Sequence, residues 1–371
     1  MAVNDPISAL EYNNIRSSVA QRLGNFAVWT EHGFTTSTTN SGYGRNFSSG
    51  LVVGGNTPGV SDTVTEQQYF DLFLDLQAGI VHQTGSLDGT TNKADFAEGT
   101  VIEWSEVTDL QSMATTVNAF NHASTDFPSS SFTTDVLRTG GGVSTSSTRS
   151  TSWGGTSQTQ TITHRVTVNF GTHNNFLYFL AAGGEIRFDA ELTGGTSATA
   201  NTKDWDWAQM LAGLGTVRFG RVNQTTWRCD SVGGSGTGYS NSSISTGSTP
   251  TTLIFEKFGG TTVGDPSPGD PSGTTIYDDN NYRIYASTNT AFSSATQLIF
   301  QIEFADADTG TGGQLEYPDP FTDVGAVDES VTGTIVSNVY TYTPSSTFTI
   351  DGVVYNAINQ TPPTGTLNSS L

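Results

Sequence analysis

Cysteine is nearly missing from this sequence: Cys229 is the only one in 371 residues. A single thiol makes no intrachain disulfide, and without neighbouring ligand residues it makes no metal site. Packing or subunit association must therefore hold the fold together. Charge is scarce and one-sided, with 13% charged residues, 14 basic against 35 acidic, a net charge of −21 and a pI near 4.3. Such a field repels a phosphate backbone, so nucleic acid is excluded as a partner. Long apolar runs are absent as well. The longest, such as Phe176 to Ala182, fall far short of the roughly 20 residues that cross a bilayer, so no membrane contact is expected. Met1 to Pro6 carries neither a basic start nor an apolar stretch, so no secretory signal is expected and assembly is placed in the cytoplasm. Leu, Ile, Val and Phe make up little more than a fifth of the chain, close to the floor for folding, which points to thin layers.

What is present divides into three by pattern. Up to about residue 150 the periodicity is helical. From Pro6 to Leu23, Ile7, Leu10, Ile15, Val19 and Leu23 form one stripe, with Gly24 just past the end. From Thr65 to His82, Tyr69, Leu72, Phe73, Leu76 and Ile80 recur at helical spacing behind an acidic first turn at Glu66. From Glu106 to Asn121, Val107, Leu110, Ala114, Val117 and Phe120 share a side. Each stripe must be buried against another helix or another subunit, so residues 1–150 read as an attachment and oligomerisation region. The Gly/Ser/Thr run Thr139 to Gly155 reads as a domain boundary.

From about 151 to 343 the period changes to two. Thr161 to Phe170 sets Ile162, His164, Val166, Val168 and Phe170 on one face; Glu185 to Leu192 and Gln297 to Phe304 repeat the design. Gly215 to Val222, Thr252 to Lys257, Asn281 to Ser287 and Val331 to Tyr342 are further strands. The expected fold is α+β but mainly β, an antiparallel, jelly-roll-like β-sandwich. Short helices at Asn174 to Ala182 and Asp204 to Leu211 plug its open ends. Beyond residue 344, an Asp351-Gly352 turn between apolar runs predicts a hairpin, and Pro362-Pro363 begins an arm.

The candidates for chemistry are few. Asp204 and Asp206 flank tryptophans in Lys203-Asp204-Trp205-Asp206-Trp207, which suggests a sugar-binding acid pair; the competing reading is a helix start with Asp204 as N-cap. Asp306-Ala307-Asp308-Thr309-Gly310 with Glu316 imitates a calcium loop, but Glu falls one position early and glycine is not sixth. The five histidines lack zinc spacing, and His164 reads as a buried structural residue. Tyr282, Tyr285, Tyr340 and Tyr342 suit either core packing or an interface. No catalytic residue, metal or cofactor is expected.

Several blocks resemble virion structural proteins of tailed phages that infect cyanobacteria: Glu11 to Gly24, Ser41-Gly42-Tyr43-Gly44, Thr151 to Gly155, Val166 to Phe170, Ala182 to Phe188, Asp204 to Leu211, Asp278 to Tyr282, Ile302-Glu303-Phe304 and Glu329 to Thr334. The chain departs from that pattern by insertions near 222–250 and 261–276 and by the hairpin tail. The resemblance implies a non-enzymatic particle component of the tail, baseplate or neck, localised to the virion. Its partners would be other virion proteins and copies of itself, a trimer being favoured. A receptor- or glycan-binding fibre tip and a capsid decoration protein stay open as alternatives.

Overall fold

A computed structural model describes residues 9–23, 64–84, 102–119, 138–155, 158–181, 184–198, 202–221, 226–259, 279–307, 330–344, 347–350, 353–356 and 362–371. Three helices come first: α1 (Ala9–Leu23), α2 (Glu66–Thr84) and α3 (Trp104–Ala119). A reciprocal cap starts α2, where the Thr65 backbone N–H donates to Gln68 Oε1 (2.7 Å) and the Gln68 N–H to Thr65 Oγ1 (3.3 Å). The helices pack on one another. Ile15, Tyr69, Leu72, Phe73, Leu76, Ile80, Leu110 and Val117 are all buried, so these stripes are covered within the chain.

The first stripe is rotated from its expected position. Leu10 is 51% exposed, whereas Ala9 and Tyr12 join Ile15 on the buried face. Tyr12 decides the rotation: its ring meets Tyr69 edge-on at 5.2 Å and its hydroxyl donates to the Gln68 carbonyl. Burying that ring removes more apolar surface than burying Leu10 would. Ile7 and Phe120 lie outside the described residues, as do the side chains of Val19 and Leu23.

The rest is mainly β, in two antiparallel sheets. One has the order β1-β12-β3-β4-β5-β7 and the other β15-β2-β11-β10-β9-β6. The strands are β1 (Arg138–Arg149), β2 (Thr161–Asn169), β3 (Glu185–Thr193), β4 (Thr216–Arg221), β5 (Trp227–Val232), β6 (Thr237–Gly238), β7 (Ser240–Asn241), β8 (Ser245–Thr246), β9 (Thr252–Phe258), β10 (Asn281–Thr288), β11 (Gln297–Ala305), β12 (Thr334–Pro344) and β15 (Thr364–Ser369). β8 runs parallel to the end of β10. The hairpin β13 (Thr347–Ile350) and β14 (Val353–Asn356) pairs as expected.

Alternation drives the sandwich: β2 buries Ile162, His164, Val166 and Val168 and half-exposes the residues between. The sheets meet face to face through Phe300, whose ring lies 5.1 Å from Phe188 and 5.4 Å from Phe219. Burying one such ring is worth about 2 kcal/mol or more.

The sandwich extends past the expected 151–343 span on both sides. The Gly/Ser/Thr run read as a boundary is β1, paired with β12 from Arg138↔Pro344 to Arg149↔Ile335. The arm after Pro362-Pro363 is β15, paired with β2. Both are edge strands, and they touch: a side chain on Gly365 would strike Val143, and the Leu371 backbone N–H donates to Ser147 Oγ (2.8 Å).

Register gives the sandwich two distinct ends. At the near end lie Arg138, Pro344, Glu185, Asn169 and Thr364. There α4 (His173–Ala181) links β2 to β3. At the far end lie Arg149, Ile335, Thr193, Thr161 and Ala305. There α5 (Lys203–Ala212) links β3 to β4. The chain before β1 and the hairpin segment between β12 and β15 both depart from the near end.

Candidate functional site

The Lys203-Asp204-Trp205-Asp206-Trp207 motif forms the first turns of α5, at the far end. Thr202, not Asp204, is the N-cap: its hydroxyl accepts from the Trp205 backbone N–H. That releases Asp204 to face the surrounding loops. Its carboxylate accepts from Thr196 N–H (2.8 Å) and Oγ1 (3.0 Å), from Thr332 N–H (2.7 Å) and Oγ1 (2.5 Å), and from Gly333 N–H (3.0 Å). Burial pushes the carboxyl upward, but the hydrogen bonds, led by the Thr332 hydroxyl, outweigh it and hold the group below its ordinary value.

Lys203 runs the other way. Its Nζ lies 3.0 Å from both oxygens of Asp306, and neither side chain is exposed. The Gly155 N–H adds a 2.7 Å bond to Asp306 Oδ2. Gly154 has φ +70°, and a Cβ there would come within 2.2 Å of Asp306 Oδ2, so glycine is required for this approach. Trp207 fills the space beneath, edge-on to Trp153 at 5.2 Å and 6.2 Å from Phe304. Asp306, the first residue of the calcium-like loop, is thus an internal ion-pair partner. The rest of that loop from residue 308 through 316 lies outside the described residues.

Chemically, this is a clamp. A carboxylate already accepting five hydrogen bonds, and another neutralised by a buried ammonium, have no lone pair placed to take a substrate proton. The other titratable groups singled out are buried: Asp206, beside Asp204 in the same helical turn, is 5% exposed. His164 is fully buried, with Nδ1 3.0 Å from Ser337 Oγ on the opposite sheet, and burial lowers its pKa to about 4. Burial raises the Cys229 thiol well above its usual range. Among the described residues no three His, Cys, Asp or Glu side chains converge as for a metal ion. No helix there is long and apolar enough to cross a membrane.

The tyrosines separate. Tyr282 is core, edge-on to Phe304 at 5.2 Å. Tyr340 donates to Asp189 (2.8 Å), and Tyr342 lies under the Arg187 guanidinium at 3.4 Å, so both belong to a polar ladder on the outer face of β3 and β12. Where β3 and α5 diverge, a groove of about 740 Å³ runs past Asp189, Glu191, Ser197, Gln209 and Asn338, with no aromatic among its described lining residues.

Of the stripe residues named for attachment, Leu10, Ile15, Tyr69, Leu72, Phe73, Leu76, Ile80, Leu110 and Val117 have described side chains, all in α1–α3 and none in the clamp. No protein-family model, curated protein or solved structure matches the chain.

Proposed function

We propose that this chain is a non-enzymatic structural subunit of a tailed-phage virion, acting in a tail, baseplate or neck appendage through contacts with copies of itself and with other virion proteins. One observation carries the reading. The side chains best equipped for chemistry, Lys203, Asp204 and Asp306, are spent on joining three distant loops at one end of a sandwich. A fold that invests its buried charge in cohesion suits a part selected for durability. The resemblance of the blocks quoted above to cyanophage virion proteins supplies the particle.

Because Ile15, Leu72, Leu76, Leu110 and Val117 are buried within the chain, attachment falls to outward groups of the same region. Leu10 (51% exposed) and Trp104 (39%) are its large exposed apolar residues among those described. Immunogold labelling of intact particles tests the assignment. Label on neck, tail or baseplate is expected; label on heads would transfer the role to capsid decoration; unlabelled, protein-free particles would end it. A monomer in light scattering at micromolar concentration would remove self-association.

The groove beside α5 favours one second reading, a receptor- or glycan-binding module, because carboxylates and amides suit sugar hydroxyls. Binding to host surface polysaccharide that disappears in Asp189→Ala is the result this reading requires.

A further inference from the structure

Among the buried cations of the sandwich, Arg221 is the anomaly. Lys203 has Asp306 at 3.0 Å, Arg187 has Glu185 at 2.9 Å, Arg218 has Asp230 at 3.2 Å, and Lys257, which has no carboxylate, donates to the Ser235 hydroxyl at 2.8 Å. Arg221 is 7% exposed, and its Nε and Nη1 are enclosed with no hydrogen-bond acceptor. In a chain with 35 acidic and 14 basic residues, a cation without a carboxylate is the reverse of what composition favours. Leaving it so costs desolvation that no ion pair returns.

The surroundings form a receptacle. Arg221 ends β4 at the near end of the sandwich, opposite Trp227 at the start of β5. Its guanidinium carbon lies 4.3 Å from the centre of the Phe292 ring and 5.4 Å from Trp227. Phe219 stacks on Trp227 at 5.3 Å with the planes 4° apart, and Phe176 stands 5.5 Å from Phe292. The rings hold the guanidinium by their faces, leaving its edges for hydrogen bonding. Nη2, the remaining nitrogen, is shared by both forks of a guanidinium. Nη2 is not among the enclosed nitrogens, so an oxyanion from solvent bonds to it directly, and engages a second nitrogen only where the side chains over Nε or Nη1 move aside. Burial lowers the pKa to about 10, so the group keeps its charge at neutral pH.

We propose that Arg221 is the receptor of a carboxylate-binding site walled by Phe292 and Trp227. The ligand carries one negative charge, because a net charge of −21 penalises each further anionic charge brought to the surface. It arrives either as a small free carboxylate or as an acidic side chain of another copy of this chain. The near end, where residues before β1 and after β12 depart, is where such a contact would be made. The site exists whether or not the chain assembles into a particle.

Acetate is the probe. The full-length protein, in low-salt buffer without carboxylates, is titrated with sodium acetate against sodium chloride at equal ionic strength, with tryptophan fluorescence as the readout. A saturable change specific to acetate, absent in Trp227→Phe and weakened at least tenfold in Arg221→Gln, is expected if the site takes a free carboxylate. Light scattering forms the second arm. Concentration-dependent association that acetate competes away and Arg221→Gln removes assigns the carboxylate to a second copy. Either result supports the receptor. Acetate acting no differently from chloride on the wild type, together with association unaffected by acetate, overturns it, and both observations stand even if the variants fail to fold.

Discussion

Lys203 and Asp306 meet at 3.0 Å, 103 residues apart in sequence and with neither side chain touching water. Such a pair contributes little net stability over a well-packed apolar one, yet removing one member strands the other. Lys203→Met is expected to lower unfolding free energy by about 3–5 kcal/mol, and Lys203→Met with Asp306→Leu by clearly less. Urea denaturation of the three proteins checks the order; a double variant that loses as much as the single, or more, would show that the stranded carboxylate is not what makes the single variant costly.

Asp204 makes an independent claim on the same end. With Asn in its place, an amide N–H₂ confronts backbone donors, and a loss of about 3 kcal/mol is expected. Its folded carboxyl lies below the ordinary 3.8. The stabilisation is therefore present above that pH and lost as acid protonates the group. The wild-type denaturation midpoint should fall steeply below pH 4, and Asp204→Asn should flatten that fall.

His164 acts in a higher window. A histidine held near pKa 4 against an ordinary 6.5 is neutral in the fold. Stability is thus whole above about pH 6.5 and declines as the unfolded chain alone takes up the proton. The decline amounts to about 3 kcal/mol by pH 4. Midpoints measured between pH 7 and 4 should show this slope in the wild type and lose it in His164→Leu.

Deleting residues 362–371 removes β15 and bares the edge of β2. An uncovered edge strand with its hydrogen-bonding groups facing solvent recruits other chains. Higher-mass species in light scattering and a lowered denaturation midpoint are the expected pair of results; a deletion protein indistinguishable from the full chain would show that β15 covers nothing that matters.

Much of this architecture was legible residue by residue, and the exceptions are physical. β2, β3 and β11 announce themselves because inward Val, Ile and Phe alternate with outward polar groups. β1 hides because, among its described side chains, it buries only Val143 and the hydroxyl residue Ser147, at an edge where glycines and a register shift interrupt the pairing. β15 hides likewise, with Leu367 as its sole large apolar residue, and that one exposed. β5 did carry a usable signal: Trp227 and Cys229 point inward on either side of Arg228. The clamp was not readable, because Lys203, Thr332 and Asp306 are brought together only by sheet register. Nor was Arg221, whose distinction is the missing acceptor, a property of space and not of sequence.

The departure of both connections from one end has a mechanical consequence. If the helical region is anchored and the far end is pulled, the load enters the sandwich at Arg138 and travels along β1. The ladder to β12 is then strained in shear, with the uninterrupted stretch from Ser144↔Tyr340 to Arg149↔Ile335 resisting together instead of opening one bond after another. A sandwich held by this end yields late and abruptly under tension.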